Sequence, residues 1–141
     1  IAETGAGQHG VDIATAAALV KKAGGDTRTV TFSSNSAIVK NGSSYSNLNN
    51  LNVGDRVIVG GSASSKTITV MKSRTADVRY ATSGLIQFLA DVQGDPYKLV
   101  NGCYCHYKNS TSQFSASTLT RNDNVTIYYT AQDSVYEVVK N

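Results

Sequence analysis

Cys103-Tyr104-Cys105-His106 is the one stretch of this chain in which reactive side chains crowd together. Thiolates are soft ligands and nucleophiles, and a neutral imidazole is a borderline ligand. Such a cluster could hold a soft metal ion, form disulfides or carry thiol chemistry. The stretch lies in the alternating segment Pro96–Tyr107, which reads as strand. On a regular strand Cys103 and Cys105 point to one face and His106 to the other. That splits the three would-be ligands. It also leaves the two thiols too far apart for an S–S bond, because side chains two positions apart on an extended strand do not meet. Three readings stay open: buried reduced thiols, disulfides between chains, or a soft-metal site completed by another chain. One Cys pair with no second cluster lacks the spacing of a zinc site.

The remaining titratable residues suggest architecture more than chemistry. His9 sits in a Gly-rich segment far from His106 in sequence. Asp55 and Asp123 each precede a β-prone run, where an Asp side chain stabilises a turn by accepting from nearby backbone amides. No Ser or Cys sits in a nucleophile elbow, and the GAG and GGS stretches lack the Lys and flanking helix of a phosphate loop. We therefore expect no catalytic residues, no cofactor, no metal site within one chain, and no enzyme. Seven of the eight tyrosines (Tyr80, Tyr97, Tyr104, Tyr107, Tyr128, Tyr129 and Tyr136) fall in the second half. Tyr suits cores and subunit interfaces, where it buries area and keeps a polar handle. Asn41, Asn109 and Asn124 head Asn-X-Ser/Thr acceptor patterns, which matter only in a host that glycosylates its surface proteins.

These residues must be positioned by a chain of 141 residues with net charge +3 and only 16% charged residues. The low charge and abundant Ser, Thr, Asn and Gly fit a secreted or surface protein, and no apolar run reaches the length of a membrane span. The chain starts at Ile1 rather than Met, as either endoproteolytic processing or a boundary set by cloning would leave it. The charge is uneven. Between Arg28 and Arg74 the basic residues Arg28, Lys40, Arg56, Lys66, Lys72 and Arg74 face a single acid, Asp55, whereas from Arg79 onward acids and bases balance. A basic face can meet nucleic acid, an anionic wall polymer or an acidic neighbour. Aromatic side chains are concentrated in the neutral half, which disfavours nucleic acid, since a reader of single strands combines both features on one face.

The strongest organisational signal is an internal repeat. Leu51–Ser73 aligns without a gap on Leu119–Asn141, setting Leu51 on Leu119, Asp55 on Asp123, Val57 on Val125, Val70 on Val138 and Lys72 on Lys140. Upstream of each copy lies an apolar stretch broken by Asn-Gly, at Asn41-Gly42 and at Asn101-Gly102. Asn-Gly favours the two-residue type I′ turn of a hairpin, and we expect a hairpin at both. Ile1–Gly10 reads as a flexible arm. Val11–Gly25 reads as the one α-helix, with Asp12 as cap, Ile13, Ala17, Val20 and Gly24 at helical spacing, and Gly24-Gly25 as its end. From Thr27 the period becomes two. The expected fold is mostly β: an arm and short helix (1–27), then two tandem small β-barrel-like modules of the OB or SH3 type (28–75 and 78–141), since short meanders need closure to protect their edges.

An apolar strand, the hairpin residues Asn41, Gly42 and Tyr45, then Leu51, Val53, Gly54, Asp55, Val57 and Val59, form a pattern that resembles the small β repeats of bacterial S-layer and S-layer-associated surface proteins. The second copy keeps Asn101, Gly102, Leu119, Asp123 and Val125 and replaces Val53-Gly54 by Arg121-Asn122. The resemblance implies an extracellular, non-enzymatic structural protein that assembles with copies of itself into a layer or filament, with a cell-wall polymer as a second candidate partner. Candidate assembly residues are the arm, led by Ile1, Ala2 and Glu3, with Cys103, Cys105, Tyr128 and Tyr129. The alternative is an OB-like binding module that takes an anionic glycan or single-stranded nucleic acid through Lys40, Arg56, Lys66 and Lys72.

Overall fold

A computed structural model describes residues 2–3, 9–14, 17–22, 27–31, 37–46, 50–52, 55–61, 66–110 and 112–141, with side chains from residue 37 onward apart from 61 and 66. The chain forms two compact units, Ile1–Lys72 and Ser73–Asn141. It is mostly β. Among the described residues helix is confined to short 3-10 turns such as Leu89–Asp91 and Ala116–Thr118. Among the described residues no helix is long and apolar enough to cross a membrane.

The first unit is an eight-stranded sheet built from β1 (Ala2–Glu3), β2 (His9–Ala14), β3 (Ala17–Lys22), β4 (Thr27–Thr31), β5 (Ala37–Lys40), β6 (Ser43–Tyr45), β7 (Arg56–Gly61) and β8 (Lys66–Val70), in the order β4-β3-β1-β2-β7-β8-β5-β6. The helix expected over Val11–Gly25 is absent from its described residues. In its place β2 and β3 run antiparallel, with Val11 opposite Val20, Asp12 opposite Leu19 and Ile13 opposite Ala18. The physical reason is cooperative. A short Ala-rich helix is marginal without a docking face, and β-branched Val11, Ile13 and Val20 prefer a pleated surface. The sheet supplies partners on both sides, because β2 also pairs with β7 and β3 with β4. Gly24 and Gly25 lie outside the described residues. The hairpin at Asn41-Gly42 forms as expected. Ile38 pairs with Tyr45 and Lys40 with Ser43, and both turn residues have positive φ, 53° and 80°, as a type I′ turn requires. Ile38, Leu51, Val57, Ile68 and Met71 are buried in this unit.

The second unit is a closed five-stranded barrel of β9 (Lys72–Ala81), β10 (Leu85–Phe88), β11 (Tyr97–Tyr107), β12 (Asn124–Ala131) and β13 (Ser134–Lys140), in the order β10-β11-β13-β12-β9. β11 and β13 run parallel, while β10 with β11 and β12 with β13 are antiparallel. Reciprocal backbone bonds, Val78 N to Asp123 O and Asn122 N to Val78 O, both 2.8 Å, help close it between β9 and β12. Val78, Ile86, Phe88, Val125, Ile127, Val135 and Val138 are fully buried at its centre. Ala116 and Leu119, from the connection before β12, pack into the same cluster.

The two units repeat one pairing scheme. Shifting by 68 positions carries the start of β7, Arg56, onto that of β12, Asn124, and the start of β8, Lys66, onto that of β13, Ser134. Each of these pairs is antiparallel, and each second strand runs parallel to an earlier one, β8 beside β5 and β13 beside β11. The aligned Asp turns match atom for atom. Asn52 N donates to Asp55 Oδ2 and Thr120 N to Asp123 Oδ2, both at 2.9 Å. The return bonds, Asp55 N to Asn52 O and Asp123 N to Thr120 O, are both 3.1 Å. Both carboxylates thus act as turn acceptors.

The second Asn-Gly does not form a hairpin. Asn101 and Gly102 lie inside β11, which pairs with β13 on either side of them. Of the two only Gly102 has positive φ, 76°. The residue 68 positions after Asn41 is Asn109, which has the matching φ of 58°, and the chain does turn back there: Ser110 N donates to Tyr107 O and Tyr107 N to Ser112 O.

Candidate functional site

The site begins with that interruption in β11. From Leu99 to Tyr104 the strand advances five residues while β13 advances two, from Val135 to Glu137. The surplus is a bulge, the usual device for re-aiming a side chain, and Gly102 supplies the left-handed backbone it needs. Cys103 lies at the end of this bulge, and both it and Cys105 face the barrel core. Cys105 is buried in the barrel core and Cys103 is half-buried against it. The thiols titrate unequally. The neighbouring Cys105 thiol and then burial push Cys103 well up. The Cys103 thiol brings Cys105 down, against burial, with help from the nearby His106 charge.

His106 points to the opposite face and meets a partner that sequence reasoning missed. Its Nε2 lies 2.6 Å from Glu137 Oε2. Its Nδ1 lies 2.9 Å from Ser110 O and 3.0 Å from Tyr107 O. Both ring nitrogens face acceptors, so an imidazolium donating from both satisfies the geometry. Glu137 is 3% exposed and His106 9%. Burial alone would lower the imidazole pKa. The Glu137 hydrogen bond and charge, with the two carbonyls, outweigh it and raise the value above its usual 6.5. The Tyr104 ring stacks on the imidazole with centroids 4.4 Å apart. A buried pair of this kind is weak evidence for extra stability, but removing one partner is costly. Glu137 was legible in principle, because it interrupts the apolar run Val135–Val139, and a charge within a buried strand needs a partner.

Two cavities open on the barrel. One, of about 390 Å³, is walled by both cysteines with Leu99, Gly102, Phe114 and Ala116. The other, of about 630 Å³, is bounded by Arg74, Asp91, Tyr97 and Gln132. Arg74 is committed there to a two-pronged bond with Asp91, at 2.5 and 3.1 Å, and to Tyr97 Oη at 3.2 Å. Asp91 first, then Tyr97, holds the guanidinium protonated more firmly than usual. That cavity carries a structural clamp. Among the described residues no three metal-ligating side chains converge.

The residues expected to act in assembly are scattered. Ile1 lies outside the described residues, while Ala2 and Glu3 form β1 and pair with β2, β3 and β7 of their own chain. Tyr129 meets Tyr97 edge-on at 5.3 Å and packs on the barrel core. Tyr128 is half-buried on β12, opposite Glu137. Of the basic residues expected to hold an anionic ligand, Lys40 lies two positions beyond buried Ile38 on β5, on the same face, and Arg56 alternates with buried Val57 on β7. Ile38 and Val57 share the buried face, so Arg56 belongs to the other face from Lys40. Lys40 Nζ reaches Asn50 O at 3.4 Å. Lys72 is exposed, and the Lys66 side chain lies outside the described residues. The exposed large apolar side chains include Tyr45, Tyr80 and Tyr107. No protein-family model, curated protein or solved structure matches the chain.

Proposed function

We propose that this protein is a non-enzymatic extracellular structural subunit that assembles with its own copies into a surface layer or filament. The observation that supports this best is the end of the first unit's sheet. β6 terminates the strand order, its three residues are all exposed, and it is Ser43-Ser44-Tyr45, without charge or proline. Natural edges are usually blunted by Lys, Pro or bulges, and an unblunted edge suits strand addition by a neighbour. We further take residues 28–75 and 78–141 as tandem copies of one β module, on the shared pairing scheme and the matched Asp turns. Electron microscopy of the wild-type protein and of Ser44→Pro tests the reading. Layers or filaments in the wild type, lost in Ser44→Pro with an unchanged far-UV spectrum, support it. Unchanged assembly in the variant, or no assembly of the wild type, rejects it.

A second reading rests on the barrel. The order β9-β10-β11-β13-β12 with β11 parallel to β13 is that of the OB-type Greek-key barrel, whose second and third strands bind oligonucleotides and oligosaccharides in other proteins. This is analogy at the level of fold, and the opposed faces of Lys40 and Arg56 weaken it. Binding of an anionic glycan or oligonucleotide that falls steeply with salt would favour it.

A further inference from the structure

His106 is a buried imidazole to which the assembly reading gives no task, and it stands between a barrel strand and an exposed turn. We propose that His106 is a pH-sensitive latch: as an imidazolium it ties the tip of the turn after β11 to Glu137 on β13, and on losing its proton it lets that tip go.

The geometry demands the proton. Nε2 lies 2.6 Å from Glu137 Oε2, and Nδ1 lies 2.9 Å from Ser110 O and 3.0 Å from Tyr107 O. A carbonyl oxygen only accepts, so Nδ1 must carry a hydrogen, and so must Nε2 while Glu137 is ionised. A neutral imidazole has one N–H for these two sites. The carboxylate keeps it, because a hydrogen bond to an ionised acceptor is the stronger one. The bare Nδ1 is then left against two carbonyl lone pairs. Tyr107 O is adjacent in the chain and stays, whereas Ser110 O, four residues on, is free to move. One proton passes to solvent, and no covalent bond changes.

The turn is suited to respond. Lys108, Asn109 and Ser110 are all exposed, and Asn109 is held at a φ of 58°. The base of the turn is tied down separately. Lys108 N donates to Lys140 O at 2.9 Å and Phe114 N to Cys105 O at 3.1 Å, and the Tyr107 and Phe114 rings meet at 5.3 Å. The other described bonds across the tip are local: Tyr107 N to Ser112 O and Ser110 N to Tyr107 O, both 3.1 Å, and Ser112 N to Ser110 Oγ at 3.0 Å. Release therefore frees the tip and leaves the barrel closed. The charged and titratable neighbours point to the imidazole as the sensor. Burial weakens its hold on the proton, but the Glu137 bond and charge and then the two carbonyls outweigh this. Tyr104, stacked on the ring, is pushed up by burial and then by Glu137, so it stays neutral as His106 titrates. Tyr128 on β12 lies opposite Glu137, Lys140 is held by Asp123 at 3.6 Å, and Lys108 is exposed. Cys105, brought down by Cys103, is the one competing group, and a variant removes it.

Nuclear magnetic resonance of the full chain between about pH 5.5 and about pH 9 tests the latch. The ring nitrogens of His106 should both be protonated at the acid end, and the neutral form should keep its hydrogen on Nε2. Across the same midpoint the exchange protection of the Tyr107 amide, corrected for the intrinsic rate, should fall about tenfold, the worth of one charge-assisted hydrogen bond. Amides of β12 and β13 should keep theirs. In His106→Gln the step should vanish, and in Cys105→Ala it should remain. Tyr107 protection that ignores the imidazole midpoint overturns the proposal. So does a neutral form protonated on Nδ1, which would break the link at Glu137 and spare the turn, and so does a step that persists in His106→Gln or is lost in Cys105→Ala. The ring-nitrogen measurement needs only the wild type, and none of these outcomes depends on whether the protein assembles.

Discussion

Asn41-Gly42 and Asn101-Gly102 are the same dipeptide in similar apolar surroundings, yet one reverses the chain and the other only bulges a strand. In the first, both residues are left-handed, and β5 and β6 pair across them. In the second, Gly102 alone is left-handed, and β11 runs on to pair with β13 beyond it. Asn-Gly permits a type I′ turn because both residues tolerate positive φ. Permission is not instruction. In the barrel, β11 must pair with β10 at its start and β13 along the rest, and a hairpin at residue 101 would forfeit the pairs from Tyr104 to Tyr107. The bulge keeps them. It also leaves Cys103 and Cys105 lining one cavity.

The same contrast runs through the two copies, and substitutions can sharpen or break it. The largest effect should come where the copies differ most. Glu137→Leu strands His106 in a buried site and should cost about 4 kcal/mol in urea unfolding, as removal of one member of a buried pair does; a loss under ~1 kcal/mol would mean the pair is not formed. Next come the positions where the copies agree. Leu51 and Leu119 are 3% and 5% exposed at matched positions, so Leu51→Ala and Leu119→Ala should each cost about 3 kcal/mol. A large gap between them would break the equivalence of the two copies.

Smaller effects separate the two Asn-Gly sites. Replacing a left-handed Asn by Ala costs about 1 kcal/mol, since Ala tolerates positive φ less well. Asn41→Ala and Asn109→Ala should show that loss in thermal unfolding, and Asn101→Ala should be close to neutral. If Asn101→Ala is as costly as Asn41→Ala, the bulge assignment is wrong. The smallest effect is one of pH. The pKa of His106 is raised in the folded state. The stability that its pair contributes is thus fully present below the unfolded value of 6.5 and fades as pH rises through the folded value. The melting-temperature difference between wild type and His106→Gln should be widest near pH 5.5 and shrink toward pH 9, and a difference that grows with pH would contradict the imidazolium–carboxylate assignment.

Much of the architecture was legible because it is written locally. Alternating Val and Ile mark strands, since side chains alternate faces. Leu-x-x-x-Asp before a β-branched run marks a turn whose carboxylate closes on its own backbone, and Asp55 and Asp123 do so with the same geometry. The segment Val11–Gly25 misled for an equally local reason: Ala, Leu and Lys favour helix by propensity, and only a neighbouring strand offers the alternative. β2 finds that neighbour in β7, distant in sequence, and no local pattern carries that information.

The sequence by itself determined that this is a β protein and where the Asp turns and the Asn41-Gly42 hairpin fall. All of these rest on periodicities and dihedral preferences that act over a few residues. Only the tertiary structure decided that His9–Ala14 and Ala17–Lys22 join the sheet, that Asn101-Gly102 bulges, and that His106 finds Glu137 thirty-one positions away. Those outcomes follow from barrel closure and long-range pairing, where a strand's partners, and not its own residues, fix register and direction.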